Sequence, residues 1–167
     1  MKMVRLIFCW SLSLMVLAGL NACYTDSAPC PSCESDQGII VSFEAGPTAD
    51  CETVRFSQDQ NLVITEDSAY TALYASNNAY TACDSLAFEA VDFTQFSVLS
   101  MAVTGSGCSR SYCLSVLDDA VEKEYRFIAR VIECGGCEPL EIARYWVVVP
   151  KVPADYGVSF ETIREQY

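Results

Sequence analysis

Cysteine is the residue type through which this chain could most readily do chemistry. Ten occur in 167 residues, and four of them form two Cys-x-x-Cys pairs, Cys30-Pro31-Ser32-Cys33 and Cys134-Gly135-Gly136-Cys137. The first pair has the spacing of a dithiol redox centre, in which a helix N-terminus lowers the pKa of one thiol. Such centres follow a strand; here Gly38-Ile39-Ile40-Val41 reads as a strand after the pair, and none precedes it. Taken together, the two pairs have the ligand count of a four-thiolate zinc site, but 100 residues separate them, far more than a zinc ribbon allows. Redox chemistry and metal sensing at these pairs stand as the alternatives to a purely structural use of the cysteines.

Other chemistries find little to work with. The chain has no histidine, which removes every His-dependent triad and every His-ligated metal site. Beyond residue 22 the lysines are Lys123 and Lys151, neither in a Ser-x-x-Lys arrangement that could activate a serine. Glu66-Asp67 and Asp118-Asp119 read as a helix start and a turn, not as the carboxylate pair of a glycosidase. No run places oxygen ligands at alternate positions as a calcium loop does. With 22 acidic against 10 basic residues the net charge is −12, and Arg55 alone opposes 12 acids over residues 23–109. Without a basic field to neutralise phosphates, a nucleic-acid partner is not expected. No catalytic residue and no cofactor is assigned, and the chain is not expected to be an enzyme.

Residues 1–22 read as an export signal. Lys2 and Arg5 give a positive start, and Leu6 to Leu20 is a largely apolar run of 15 residues, shorter than the roughly 20 that span a membrane. The run ends in Leu20-Asn21-Ala22-Cys23, which resembles the lipobox of bacterial lipoproteins, with Asn21 as the departing position. That resemblance implies cleavage before Cys23, its acylation (palmitate included), and attachment to the membrane through the lipid. Tyr24 in place of Asp implies, by the sorting rule of such lipoproteins, the outer membrane, on its periplasmic or cell-surface face. Pro29-Cys30-Pro31-Ser32-Cys33-Glu34 also looks like the opening of copper- and stress-sensing outer-membrane lipoproteins, a likeness that ends there and carries no function. With Cys9 and Cys23 removed, an even set remains: Cys30, Cys33, Cys51, Cys83, Cys108, Cys113, Cys134 and Cys137. An even number in an exported chain points to disulfides. Spacing favours the near pairs 30–33, 108–113 and 134–137, leaving Cys51 for Cys83. Exchanges between the 108–113 and 134–137 pairs are equally buildable.

The elements that must position these residues are mainly strands. After a tether over residues 23–37, one domain is expected over 38–167. Ile39, Val41 and Phe43 alternate with Ser42 and Glu44; Val54 and Phe56 suggest a second strand and Leu62-Val63-Ile64 a third. Thr65 with Glu66 and Asp67 reads as a helix start, and Ala69, Tyr70, Leu73 and Tyr74 share one face up to Ser76-Asn77-Asn78. Ala-Tyr-Thr-Ala occurs at 69–72 and again at 79–82, too few copies for a repeat architecture. Phe96 to Thr104 is apolar on both faces and reads as a central strand. Tyr112, Leu114 and Val116 follow. Tyr125, Phe127, Ala129 and Val131 then face inward, with Glu124, Arg126 and Arg130 outward. Cys134-Gly135-Gly136-Cys137 reads as a tight hairpin returning into Leu140 to Val149, and Val158 with Phe160 as a last short strand. The fold expected is mainly β, an antiparallel sandwich or partly open barrel with one supporting helix.

The order helix, Val91-Asp92-Phe93-Thr94, Ser97-Val98-Leu99, glycine-rich turn, paired strands and Val148-Val149-Pro150-Lys151 resembles the C-terminal domain of accessory subunits that stabilise a surface protease, and small envelope lipoproteins of the same build. Gly105-Ser106-Gly107-Cys108 stands where such domains carry Gly-Gly-Tyr. The resemblance spans roughly residues 62–161; the anchor, the disulfide scaffold and the lack of a reactive constellation lead us to expect a non-enzymatic module that binds or stabilises an envelope protein partner.

Overall fold

The computed structural model describes residues 30–33, 37–43, 47–48, 61–78, 87–88, 90–136 and 140–167. The signal segment 1–22, Cys23, the strand read at Val54 and Phe56, the second Ala-Tyr-Thr-Ala and the Cys51–Cys83 pairing lie outside them. The protein is mainly β. Its elements are β1 (Pro47–Thr48), β2 (Leu62–Ile64), helix α1 (Asp67–Asn78), β3 (Ala87–Phe88), β4 (Phe96–Gly105), β5 (Ser109–Asp119), β6 (Glu124–Cys134), β7 (Glu141–Pro150) and β8 (Gly157–Gln166). Strands β2, β4 and β7 form one antiparallel sheet with β4 in the middle, and β5, β6 and β8 form a second with β6 in the middle. β1 pairs with β3.

The two sheets face each other as a β-sandwich-like pair, not a closed barrel. The core between them takes Leu99, Met101 and Val103 from β4, Val147 and Val149 from β7, Val116 from β5 and Tyr125, Phe127, Ala129 and Val131 from β6. The alternating pattern of β6 explains its role. Its odd-numbered residues from Tyr125 to Val131 are buried, while Arg126 and Arg130 on the other face reach Glu161 (2.9 Å) and Glu165 (3.7 Å) of β8. β4 is apolar on both faces because both are covered. Its Val98, with Val148 and Trp146 of β7, packs against Ile64, Tyr70 and Leu73, so α1 forms a third layer outside the first sheet. Tyr70 and Leu73 of the expected helix face turn inward, but Ala69 is exposed.

Three expectations are corrected. First, the Gly135-Gly136 segment is not a hairpin: β6 pairs with β5 and β8, β7 pairs with β4, and the chain here crosses from one sheet to the other. Gly135 (φ +74°) is needed for close approach, since a Cβ there would lie 3.0 Å from Cys108 Sγ. Second, the second sheet is mixed, because β8 runs parallel to β6 over ten register pairs from Glu124↔Gly157 to Glu133↔Gln166. The expected short strand at Val158 and Phe160 thus extends to Gln166. A parallel pair needs a long crossover, and all of β7 lies between β6 and β8.

The third concerns residues 37–43, which are not a strand with Ile39, Val41 and Phe43 on one inner face. Ile39 and Ile40 pack against the core, whereas Val41 is 56% and Phe43 43% exposed. The segment crosses the seam of the sandwich. Ile39 N–H donates to Val116 O (2.9 Å) and Val116 N–H to Gln37 O (3.1 Å) at the edge of β5. Val41 N–H donates to Val148 O (2.8 Å) and Val148 N–H to Ser42 O (2.8 Å) at the edge of β7. Gly38 makes the crossing feasible: its φ is +65°, and a Cβ there would stand 2.0 Å from Val116 O.

Candidate functional site

The chemistry-bearing residues converge at the end of the sandwich where β4 and β6 finish. Cys30 is bonded to Cys134 at the end of β6, and Cys33 to Cys113 in β5, across 104 and 80 residues of sequence. Cys108 is also disulfide-bonded, and its partner lies outside the described residues. The near-neighbour pairings 30–33, 108–113 and 134–137 are therefore replaced by long-range ones. Spacing along the chain favours cysteines that are close in sequence, but the sheet brings β5 and β6 beside a segment some hundred residues upstream. Residues 30–33, expected as part of a tether, instead lie bonded to the second sheet. Cys30 Sγ sits 3.8 Å from the carbonyl oxygens of both Ser109 and Ile132. Residues 30–33, with two covalent pins on the second sheet, and residues 37–43, with two edge contacts, one on each sheet, are together called the strap.

Beside the strap opens a cleft of about 340 Å³, lined by Ser106, Gly107, Glu133, Gly135, Gly136, Gln166 and Tyr167. Glu133 continues the inward phase of β6 and is only 5% exposed. Its carboxylate accepts from Ser106 N–H (2.8 Å) and pairs with Arg164 Nη1 (2.9 Å), while Arg164 Nη2 donates to Thr104 in β4 (2.5 Å). The Ser106 backbone N–H, first, and the Arg164 charge hold the Glu133 carboxyl below its ordinary 4.5. A carboxyl so held is ionised at neutral pH and is a poor general acid; here it ties β6, β8 and the β4–β5 turn together. Nearby, burial raises the phenols of Tyr112 and Tyr145 above their ordinary 10, so neither supplies a phenolate. Arg110 pairs with Glu141 across the mouth of the two sheets.

A charge-to-amide change tests the strut. Glu133→Gln keeps the shape but loses the ionic bonds, and should lower stability at pH 7 by about 1–2 kcal/mol, the half-exposed Arg164 limiting the effect. Because folding lowers this pKa, its contribution is complete above about pH 4.5 and is lost as the pH falls through the folded value. Denaturant titrations of the two proteins should converge as the pH is lowered below 4.5.

Asp92, Thr94 and Lys151 have structural roles. Asp92 accepts from Thr94 N–H (2.9 Å), Thr94 Oγ1 (2.6 Å) and Gln95 Nε2 (3.0 Å), which closes the turn into β4 and lowers its pKa. Lys151 Nζ donates to Phe93 O (2.9 Å) and to Thr65 O, tying the end of β7 to the approach of α1. Thr65 thus contributes its carbonyl to Lys151, and the helix begins at Asp67.

Of the zinc candidates, Cys30 and Cys134 are bonded to each other, Cys33 is bonded to Cys113, and Cys137 lies outside the described residues. Among the described residues no three His, Cys, Asp or Glu side chains converge as a metal ion would require. Glu133 and Arg164 were not singled out from sequence. Their signal is a charge standing in phase with apolar positions: Glu133 after Val131 in β6, and Arg164 after Val158 and Phe160 in β8. No family model, curated protein or solved structure matches this chain.

Proposed function

We propose that the chain is a non-enzymatic lipoprotein of the outer membrane, acylated at Cys23, whose disulfide-braced sandwich binds or stabilises another envelope component. The observation that supports this reading most is the oxidised framework: all five described cysteines are in disulfides, and two of the bonds tie an N-terminal strap to strands some hundred residues away. Such bonds persist in an oxidising compartment, the one to which a lipobox directs a chain. Cys30 follows Cys23 by seven residues, so an acyl anchor there would hold the Cys134 end of the sandwich within about 25 Å of the bilayer, the reach of seven extended residues. The ionised Glu133 and the protonated tyrosines at this end suit a rigid support better than a reactive centre.

Intact mass of the membrane-extracted protein, with and without reduction, tests the reading. A chain beginning at acylated Cys23, gaining two hydrogens per bridge on reduction, is the expected result. Full-length chain in the cytosol with free thiols would overturn the anchor and the compartment. Hydrolytic turnover by the purified domain would overturn the non-enzymatic part.

A further inference from the structure

We propose that the strap is a redox-released clasp, in which the Cys30-Pro31-Ser32-Cys33 spacing converts one reduction event into the opening of both pins. The inference needs only the bonds themselves and is independent of the acyl anchor.

The two pins differ in access. Cys33 is exposed and Cys113 half-buried, whereas Cys30 is half-buried and Cys134 only 6% exposed. A small dithiol therefore meets the Cys33–Cys113 bond first. It delivers two electrons and two protons, becomes a cyclic disulfide itself, and leaves Cys33 and Cys113 as thiols. Thiol–disulfide exchange then proceeds by thiolate attack on a neighbouring bridge. Cys113 cannot make that attack: it is opposite Arg130 in the β5–β6 register while Cys134 is opposite Ser109, four residues or about 13 Å further along the sheet. Cys33 can, because it is three residues from Cys30, a spacing that closes a Cys-x-x-Cys ring. The Cys33 thiolate attacks Cys30 Sγ, the Cys33–Cys30 bond forms, the Cys30–Cys134 bond breaks, and Cys134 leaves as the thiolate and takes up the proton given up by Cys33. The sum is one dithiol consumed, two protein thiols at Cys113 and Cys134, and one disulfide within the strap.

The consequence follows from what else holds the strap. Without its pins, residues 37–42 keep the four backbone hydrogen bonds to Val116 and Val148, together with the packing of Ile39 and Ile40. Those bonds are few and lie on the edges of two different strands, and local opening of a short segment so held costs less than global unfolding. Release bares the edges of β5 and β7 at Val116 and Val148 and uncovers the core beneath Ile39.

The experiment is a titration of the full chain with limiting dithiothreitol, followed by alkylation and site-resolved mass mapping. The clasp predicts an intermediate with a Cys30–Cys33 linked peptide and alkyl groups on Cys113 and Cys134. In that intermediate, amide exchange at residues 37–42 should rise about tenfold or more, and by a larger factor than that of β6. An intermediate alkylated at Cys33 and Cys113 that retains Cys30–Cys134 overturns the proposal, as does simultaneous loss of both bridges. A variant gives the same answer without reductant. Cys113→Ser leaves Cys33 free and should carry Cys30–Cys33 with a free Cys134; retention of Cys30–Cys134 in that variant overturns the exchange step.

Discussion

Truncating Phe127 to alanine is expected to lower folding stability by about 3–5 kcal/mol, the usual cost of emptying a large aromatic site in a packed core. Phe127 is fully buried in the middle of β6, opposite Val116 of β5 on one side and Phe160 of β8 on the other. Its ring lies 6.0 Å from that of Phe160 and packs in the same cluster as Leu99 and Val147 of the facing sheet. The site cannot collapse easily, because β6 is fixed on both edges by hydrogen-bonded neighbours. Denaturant unfolding should show the loss as a lower midpoint at unchanged slope. Val121→Ala, at a turn position 89% exposed, should stay within about 0.5 kcal/mol of the parent and serves as the control.

Removing the strap's two pins should have a larger effect still. With one bridge intact, the other closes a path of about 24 residues through 30–33 and 113–134. On the chain-entropy model, losing either alone costs roughly 3 kcal/mol, whereas losing both also reopens a loop of about 80 residues and brings the total to roughly 8 kcal/mol. That total is of the order of a whole domain's stability. Replacing Cys30, Cys33, Cys113 and Cys134 together by serine is therefore expected to lower the unfolding midpoint furthest and to leave a marginally stable domain whose strap opens first. Removing Cys30 and Cys134 alone should leave a folded protein with a lowered midpoint. Thermal unfolding followed by circular dichroism separates the two outcomes. A four-serine variant as stable as the parent would show that the sheets hold themselves together without the strap.

Sequence periodicity carried the interior strands well. The two-residue alternation of Tyr125 to Val131 and the unbroken apolar run from Phe96 each match a physical situation, one face covered or two, and β6 and β4 have those surroundings. Tyr70 and Leu73 likewise mark the helix's inner face. What local pattern could not carry was connectivity. Gly135-Gly136 supplies the same backbone freedom to a hairpin and to a crossing between sheets, and only long-range pairing decides between them. The parallel direction of β8 and the pairing of Cys30 with Cys134 are of the same kind, set by which strands become neighbours. The strap departs from simple alternation for a related reason: Ile39 and Ile40 are adjacent in sequence yet both packed, which happens when a segment lies across a seam instead of along a sheet. At the cleft, Glu133 was legible as a charge in phase with the core, but its partner Arg164 lies 31 residues away.

The place of β6 also bears on how the polypeptide is made. Its flanking strands come from opposite sides of it in the chain, β5 before and β8 after, and Cys30 must wait for Cys134, the last residue of β6, about a hundred positions later. A nascent chain still lacking residues 157–166 has no complete second sheet to offer, however much of it has left the ribosome. Contacts of such long sequence separation form slowly. Completion of the second sheet thus comes late in synthesis, once residues 157–166 are free to pair with β6.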